Sequence, residues 1–245
     1  MNGNKYISIV NETIEKAWNS QTEAISVAVE KIAEAIEKKR NVFIFGCSHA
    51  GIIAEEVFYR TGGLAIINPI FFPGFMLNTR PITMTSQLER VSGIGKAILK
   101  ENHVQEGDVL IIHSVSGRNN VPVEMAMEAA AKGVYVIALT NLEYSKGVTG
   151  RHESGKRLFE VSHLVLDNCG VKGDAAVRLE GLPEAIGPTS TAVGTALINA
   201  IVIEVVEKLI ADGIVPPVFL SANLDGGDAH NQKIFAEYKN NIFYM

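Results

Sequence analysis

Val109-Leu-Ile-Ile-His-Ser-Val-Ser-Gly-Arg-Asn-Asn120 is the stretch of sequence that decides the fold class. Its first five residues form a short apolar run typical of a buried strand. Ser114, Ser116 and Gly117 follow this run, and a polar segment then leads into a helix. The start of a helix offers free backbone N–H groups and the positive end of the helix dipole. Hydroxyl and N–H groups arranged in this way can hold a phosphate without a lysine, although the same residue types are common in an ordinary turn that caps a helix.

Four further apolar runs are similar to this one, and helical segments separate them. The predicted strands are 42–45, 64–67, 109–113, 134–139 and 164–166, and helices are expected at 4–38, 49–61, 87–100, 120–133 and 187–213. Strands as apolar as these are covered on both faces, and their alternation with helices indicates a parallel sheet. We therefore predict an α/β fold with a doubly wound five-stranded parallel sheet, flanked by helices, and a long N-terminal helix. Residues 1–245 would form one domain, with a helical segment 4–38, a sheet core 42–213 and a C-terminal extension 214–245.

Composition and charge argue against several classes of function. The chain has 245 residues, of which 47% are hydrophobic and 20% charged, as in a globular protein with a large core. Its formal net charge is −5, and it has no run of Lys or Arg, which argues against nucleic-acid binding and against a basic membrane-surface helix. Two cysteines do not make a disulfide framework, and Met1–Val10 lacks the pattern of a signal peptide. We therefore expect a cytoplasmic protein.

The motifs of common cofactors are missing as well. The chain has no GxxxxGK[ST] loop, and the turn Gly46-Cys-Ser-His-Ala-Gly51 is not a GxGxxG motif. No group of His, Cys, Asp and Glu shows the spacing of zinc ligands. We therefore expect a site that uses neither a metal nor a cofactor.

Two more segments place polar groups at predicted strand ends. Gly46 allows a tight turn after the first strand, and Ser48 in this turn is placed either to cap the next helix or to contact a ligand. Ligands of doubly wound sheets bind outside the carboxyl ends of the strands, so this turn and the Ser114 turn should share a pocket. Hydroxyl groups also cluster at the start of the last helix, at Thr189, Ser190 and Thr191. A helix cap needs one hydroxyl, so we expect the others to contact the substrate.

Taken in order, four motifs resemble the sugar isomerase (SIS) domain family. They are Val42–Gly51, Ser114-Val-Ser-Gly117, Val136-Ile-Ala-Leu-Thr-Asn141 and Gly187-Pro-Thr-Ser-Thr191, and the resemblance extends over roughly 4–213. In that family, which has a flavodoxin-like fold, the Ser-x-Ser-Gly loop and the first glycine turn clasp a sugar phosphate. The resemblance therefore implies a phosphate site formed by Ser48, Ser114, Ser116, Gly117 and Asn119. The chain departs from the family pattern at Ala50, where a serine is frequent, and at Asn119 or Asn120, where a threonine is frequent.

Three activities are compatible with this resemblance. The general outline is similar to phosphoheptose isomerases, which implies an aldose–ketose isomerase that acts on a phosphorylated sugar. The stretch Glu184–Gly194 resembles N-acetylmuramic acid 6-phosphate etherases, which are lyases of an amino-sugar phosphate. A sensor that binds a sugar phosphate without turnover is the third possibility.

The N-terminal helix and the apolar last helix carry more hydrophobic surface than is needed to cover one sheet. We therefore also expect a homodimer or homotetramer.

Isomerisation and ether elimination both begin with removal of a proton next to a carbonyl. The base must lie within hydrogen-bond range of that carbon, and its pKa should be tuned toward neutrality. Glu89 is the first candidate because it follows the irregular loop after the second strand, where this family often has a catalytic glutamate; Glu184 is the second. The alternative for Glu89 is a capping box with Ser86. His49 in the first turn, or His230 reaching in from the C-terminal segment or a neighbouring subunit, would assist ring opening.

Overall fold

A computed structural model describes residues 1–245 and contains one five-stranded, all-parallel sheet between two layers of helices. The strands are β1 (Val42–Gly46), β2 (Ile67–Pro69), β3 (Val109–His113), β4 (Tyr135–Thr140) and β5 (Leu164–Asp167). The helices are α1 (Asn2–Asn19), α2 (Thr22–Glu37), α3 (Ile52–Val57), α4 (Thr83–Leu88), α5 (Ile94–Glu101), α6 (Asn120–Ala131), α7 (Leu142–Lys146), α8 (Ser190–Ala211) and α9 (Gly227–Glu237). The predicted fold class is thereby confirmed.

Alternate residues of each strand enter two separate cores. Val42 and Ile44 of β1 face a core built with α2, α3 and α8, whereas Phe43 and Phe45 face a core built with α5 and α6. β3 divides its residues in the same way. The sheet is therefore buried on both faces, which explains why its strands read as unbroken apolar runs in the sequence. No helix of the fold combines the length and the apolar character needed to cross a membrane.

The N-terminal helical segment consists of two helices where the sequence predicted one. α1 ends at Asn19, and α2 begins at Thr22. Between them, the Gln21 side chain donates to the carbonyls of Ala17 at 2.6 Å and Asp167 at 2.7 Å, and its oxygen accepts from the Asp167 N–H at 2.8 Å. The break therefore fastens the helices to the end of β5. A contact over 146 residues leaves no trace in the local helical period.

Several other elements differ from their predicted bounds. The last helix begins at Ser190 and not at residue 187, because Ile186–Pro188 forms a short strand. β2 begins at Ile67 because the preceding Leu64 forms an antiparallel bridge with Val218 of the C-terminal extension. The helix predicted at 49–61 is a 3-10 turn (Ser48–Gly51) followed by α3, which ends at Val57. The helix predicted at 87–100 is two helices, α4 and α5, and Gly93 between them has a positive φ of 89°.

The remaining segments cover the edges of the sheet. A two-stranded hairpin, β6 (Ala175–Val177) and β7 (Ile186–Pro188), precedes α8 and contacts α1 through the Tyr6 hydroxyl, which donates to the Pro188 carbonyl. The C-terminal extension crosses edge strand β2. There the Phe243 N–H donates to the Asn68 side chain at 2.8 Å, and the Tyr244 hydroxyl donates to the Ala65 carbonyl at 2.6 Å. Pairing of this kind protects an edge strand from association with other strands.

The order of the strands determines where a ligand can bind. The order is β2-β1-β3-β4-β5, so the chain turns back between β1 and β3. In sheets of this order the ligand lies in the crevice outside the carboxyl ends of the two strands at the reversal. Gly46 and His113 are paired in the register of β1 and β3. The turns that follow them, at 46–51 and 114–120, are therefore neighbours at one edge of the sheet, as the sequence predicted.

Gly46 is essential to the first of these turns because the chain folds back onto it. A Cβ atom at this position would lie 2.4 Å from the Ala50 carbonyl oxygen and 2.8 Å from the Gly51 nitrogen. Both clashing atoms belong to the backbone, so the clash can be relieved only if the turn itself moves. We expect Gly46→Ala to lower the free energy of unfolding by about 3 kcal/mol. Urea denaturation measures this, and Gly3→Ala, where a Cβ meets nothing within 4 Å, is the control that should lose no stability, because alanine is the better helix former in α1. Equal stabilities of the two variants would contradict this account.

Candidate functional site

Three serine hydroxyl groups lie at the carboxyl ends of β1 and β3. Ser48, Ser114 and Ser116 are half-buried, and no hydrogen bond within the chain engages any of their hydroxyls. The Thr140 hydroxyl, at the end of β4, fixes the backbone of the turn after β3. It lies 2.7 Å from the Ser114 carbonyl and 3.0 Å from the Val115 carbonyl. The scaffold is therefore fixed while the serine hydroxyls point to no protein partner. An arrangement of this kind suits recognition of an oxygen-rich ligand.

Two residues with positive φ shape the same turns. Ser48 has a φ of 56° and Gly117 a φ of 58°. A non-glycine residue in this region is uncommon and costs free energy, so the surrounding structure must hold Ser48 in place. At Gly117 a Cβ atom would lie 3.1 Å from the Ser145 hydroxyl and 3.2 Å from Leu158. Because Gly117 has no side chain, the loop after β3 packs directly against the segment that follows β4. The Gly117 carbonyl accepts from the Leu158 N–H in that segment.

His113 ties the two turns together. Its side chain is 1% exposed, and its Nδ1 lies 2.9 Å from the Ala50 carbonyl oxygen. A carbonyl oxygen only accepts, so Nδ1 carries the proton and Nε2, which has no partner in the protein, is the unprotonated nitrogen. Burial lowers the pKa of His113 from 6.5 to about 4. The histidine is therefore neutral near pH 7 and acts as a fixed donor between the turns.

Glu89 is the carboxylate that the structure brings to this edge. It follows the last residue of α4, and the Asn119 side chain donates to its carboxylate. Burial raises the pKa of Glu89, while the Asn119 hydrogen bond and the charges of Arg90 and Arg151 act in the opposite direction. Burial, followed by the negative charge of Glu89, raises the pKa of the Cys47 thiol beside it. A partly buried carboxylate with a raised pKa is suited to proton transfer near neutral pH.

The alternative role for Glu89 is wrong. A capping box would require Ser86 at the start of a helix, but α4 begins at Thr83 and has already ended when the chain reaches Glu89. The N-cap position of α6 belongs to Asn119. The Asn120 side chain instead donates to the Arg90 carbonyl and to the Ser92 hydroxyl, both at 2.9 Å. It thereby joins α6 to the segment that carries Glu89.

Arginine side chains complete this edge, and one of them, Arg151, has no signal in the sequence that would place it here. Arg151 Nη1 donates to the Asn119 side-chain oxygen at 2.6 Å, so Asn119 lies between Arg151 and Glu89. Arg118 donates from its guanidinium to the Thr149 carbonyl at 3.0 Å. Arg118 belongs to the quoted loop and could have been noticed there. Arg151 follows α7 in an exposed connection, and only its long-range backbone bond to the Arg118 carbonyl brings it here.

The hydroxyls at the start of α8 have partners within the protein. Asp174 accepts from the N–H groups of Thr189 at 3.0 Å and Ser190 at 2.8 Å, and the Ser190 hydroxyl donates to the same carboxylate at 2.7 Å. Thr189 and Ser190 are buried, at 1% and 4% exposure. Thr191, the third of the group, is half-buried. A carboxylate from the preceding loop therefore caps α8, which accounts for Thr189 and Ser190 without a ligand.

None of the other candidate acids and bases is hydrogen-bonded to Glu89. Glu184 is exposed in the loop that joins β6 and β7. His230, in α9, has its Nε2 at 2.9 Å from the Val218 carbonyl, beside the bridge that precedes β2 and so on the amino-end side of the sheet. His49 belongs to the first turn and is exposed. Of the four predicted catalytic residues, Glu89 and His49 thus share the edge with the serine turns.

The neutral state of His113 can be tested through stability. Because the folded state lowers its pKa from 6.5 to about 4, the histidine contributes stability above pH 6.5 that is lost as the pH falls through about 4. The shift corresponds to roughly 3 kcal/mol over this window. His113→Asn keeps an N–H group for Ala50 and does not titrate. Urea unfolding at pH 7 and at pH 4 should show a smaller acid loss for this variant than for the wild type. Parallel losses would rule out a buried neutral His113.

Comparisons with known proteins agree with this fold. The SIS domain profile matches residues 5–141. A UPF0309 protein of Shouchella clausii is 50% identical over 98% of both chains, and one of Oceanobacillus iheyensis is 47% identical over the same shares. A phosphoheptose isomerase structure from Francisella tularensis has a TM-score of 0.53 at 16% identity and covers 83% of this chain and 96% of its own. Phosphoheptose isomerase GmhA from Neisseria gonorrhoeae has a TM-score of 0.52 at 16% identity, covering 84% and 97%. The solved structures support the fold alone, and the sequence matches show that the chain belongs to the UPF0309 family of SIS-domain proteins.

Proposed function

We propose that the protein binds a phosphorylated sugar at the carboxyl ends of β1 and β3 and interconverts its aldose and ketose forms. One observation carries the proposal: unengaged serine hydroxyls lie at the same sheet edge as a carboxylate whose pKa is raised by burial. The first feature suits a phosphate, and the second suits proton abstraction. The two solved structures named above as phosphoheptose isomerases share this fold, which supports the same class of reaction.

The phosphate would be held by neutral donors. Ser48, Ser114 and Ser116 offer hydroxyls, and Gly117 lies in the left-handed conformation just before α6. At the start of α6 the Val121 N–H donates to the Glu89 carbonyl and Pro122 has no N–H, which leaves the Asn120 N–H as a free backbone donor. The Asn119 side chain is already engaged by Glu89 and by Arg151, so we assign it to positioning these two groups. Thr191 is the hydroxyl of the α8 cluster that remains available to the sugar.

Glu89 would then move one proton between neighbouring carbons. Its carboxylate takes the proton from the carbon next to the carbonyl, which leaves an enediolate, and returns it to the former carbonyl carbon while the oxygens exchange a proton. The hydrogen bond from Asn119 keeps the carboxylate oriented. His49, exposed in the first turn, is placed to assist ring opening. Glu184 and His230 would act only if the hairpin loop moved or a neighbouring subunit supplied them.

Hydrogen exchange tests the reaction and the base together. The wild type, incubated in heavy water with a panel of five- to seven-carbon sugar phosphates, should incorporate deuterium at C1 or C2 of its substrate, as measured by NMR. Glu89→Gln should reduce incorporation by about 10²- to 10⁴-fold because the base is lost. Activity of the wild type should also fall as the pH is lowered through the raised pKa of Glu89, since only the carboxylate accepts a proton.

Glu101→Gln, an exposed change on α5, is the matched control and should exchange like the wild type. Full exchange by Glu89→Gln would show that the base lies elsewhere, and loss in Glu184→Gln would move it to the hairpin. Ligand-induced thermal stabilisation without exchange in the wild type would indicate a sensor. Release of lactate from a muramic acid phosphate would indicate the lyase.

We also propose that the protein is a homodimer or homotetramer. On α8, Ile203 is 66% exposed and Ile210 is 61% exposed, and with half-buried Val206 they form one apolar stripe along the helix. Such a stripe is costly in water and suits a symmetric contact. We expect light scattering to give at least twice the chain mass and Ile203→Glu to give the monomer mass. A monomeric wild type would refute this assembly.

A further inference from the structure

Three arginines converge on the N-terminus of α6. Arg118 comes directly before Asn119, and its guanidinium is held on Thr149 by bonds of 3.0 Å to the carbonyl and 3.1 Å to the hydroxyl. The Arg151 N–H donates to the Arg118 carbonyl at 2.8 Å, and Arg151 Nη1 reaches the Asn119 side chain at 2.6 Å. Arg90 is joined to the same place through its carbonyl, which accepts from Asn120. The fold thus gathers residues from three separate loops.

The positive charges of these three arginines are not balanced by ion pairs. The chain as a whole is acidic, with a net charge of −5, and its six ion pairs all lie elsewhere, for example between Arg157 and Glu160. No ion pair engages Arg90, Arg118 or Arg151; the Glu89 carboxylate, which is near Arg90 and Arg151, is bonded to Asn119. Burial and the charges of Arg118 and Arg90 lower the pKa of Arg151, which shows that like charges are close. Such crowding is stabilised by an additional anion.

The phosphate of a sugar substrate does not require these arginines. The serine hydroxyls and the Asn120 N–H already supply neutral donors for it, whereas Arg151 is bonded to the side-chain oxygen of Asn119, opposite the amide nitrogen that donates to Glu89. Arginine presents paired donors that fit the two oxygens of a carboxylate. We propose that the substrate carries a second acidic group, a carboxylate, which Arg151 and Arg118 bind while the serine turns hold the phosphate. This inference rests on the proposed sugar-phosphate function.

A matched pair of ligands separates the two anions. 6-Phosphogluconate and glucitol 6-phosphate have the same chain and phosphate, but only the first carries a carboxylate. Isothermal titration calorimetry at pH 7.5 and constant ionic strength should show that the wild type binds 6-phosphogluconate at least about tenfold more tightly. Arg151→Gln should remove this preference and leave the affinity for glucitol 6-phosphate unchanged. Arg151→Lys, which keeps the charge but not the paired donors, should retain part of the preference.

Control variants distinguish failure of the carboxylate assignment from failure of the proposed sugar-phosphate function. Ser116→Ala should weaken both ligands equally, and Arg40→Gln, at the amino end of β1, should change neither. Equal affinities in the wild type would overturn the carboxylate assignment alone. Equal weakening of both ligands by Arg151→Gln, with a native circular dichroism spectrum, would assign the arginine to the phosphate instead. If neither ligand nor inorganic phosphate binds, the sugar-phosphate function fails and this inference fails with it.

Discussion

The parallel pairing of β1 with β3 is the constraint on which the rest of the structure depends. Because these strands are neighbours at the point where the strand order reverses, the turns that leave them open into one crevice. His113 then joins the turns through the Ala50 carbonyl, and a buried N–H group without that partner would cost free energy. Gly46 has no side chain, which lets the turn after β1 fold back onto it. Serine hydroxyls placed on this frame need no contacts of their own to stay in position.

The chemistry of the edge depends on a balance at Glu89. A fully solvated carboxylate is a weak base, whereas one buried without donors stays protonated and cannot accept a proton. At Glu89 burial raises the pKa, and Asn119 and two arginines limit the rise by stabilising the ionised form. Asn119 has a central part in this balance because its amide faces Glu89 with its N–H and Arg151 with its oxygen. A threonine would have to donate and accept through one oxygen, whereas the amide of Asn119 uses two separate atoms.

The start of α8 illustrates how a polar cluster can serve the fold itself. Asp174 has a positive φ of 70°, and its carboxylate accepts from two backbone N–H groups and one hydroxyl at the first turn of the helix. A negative charge at a helix N-terminus is stabilising, so the loop before the hairpin is fixed to the helix after it. Thr189 and Ser190 were read from the sequence as ligand groups because the residue that engages them lies 15 or 16 positions earlier.

Features of this protein that depend on residues close together in the chain could be predicted from its sequence. Apolar runs predicted the five strands, with β3 at 109–113 as observed, and their alternation with helices predicted the parallel sheet and the edge where Ser48, Ser114 and Ser116 meet. Only the tertiary structure decided the break at Gln21, the start of β2, and the approach of Arg151 to Asn119 and Glu89. Each of these rests on hydrogen bonds or bridges between residues far apart in the chain. Periodicity reports which face of an element is buried, but it carries no information about which distant polar group will be its neighbour.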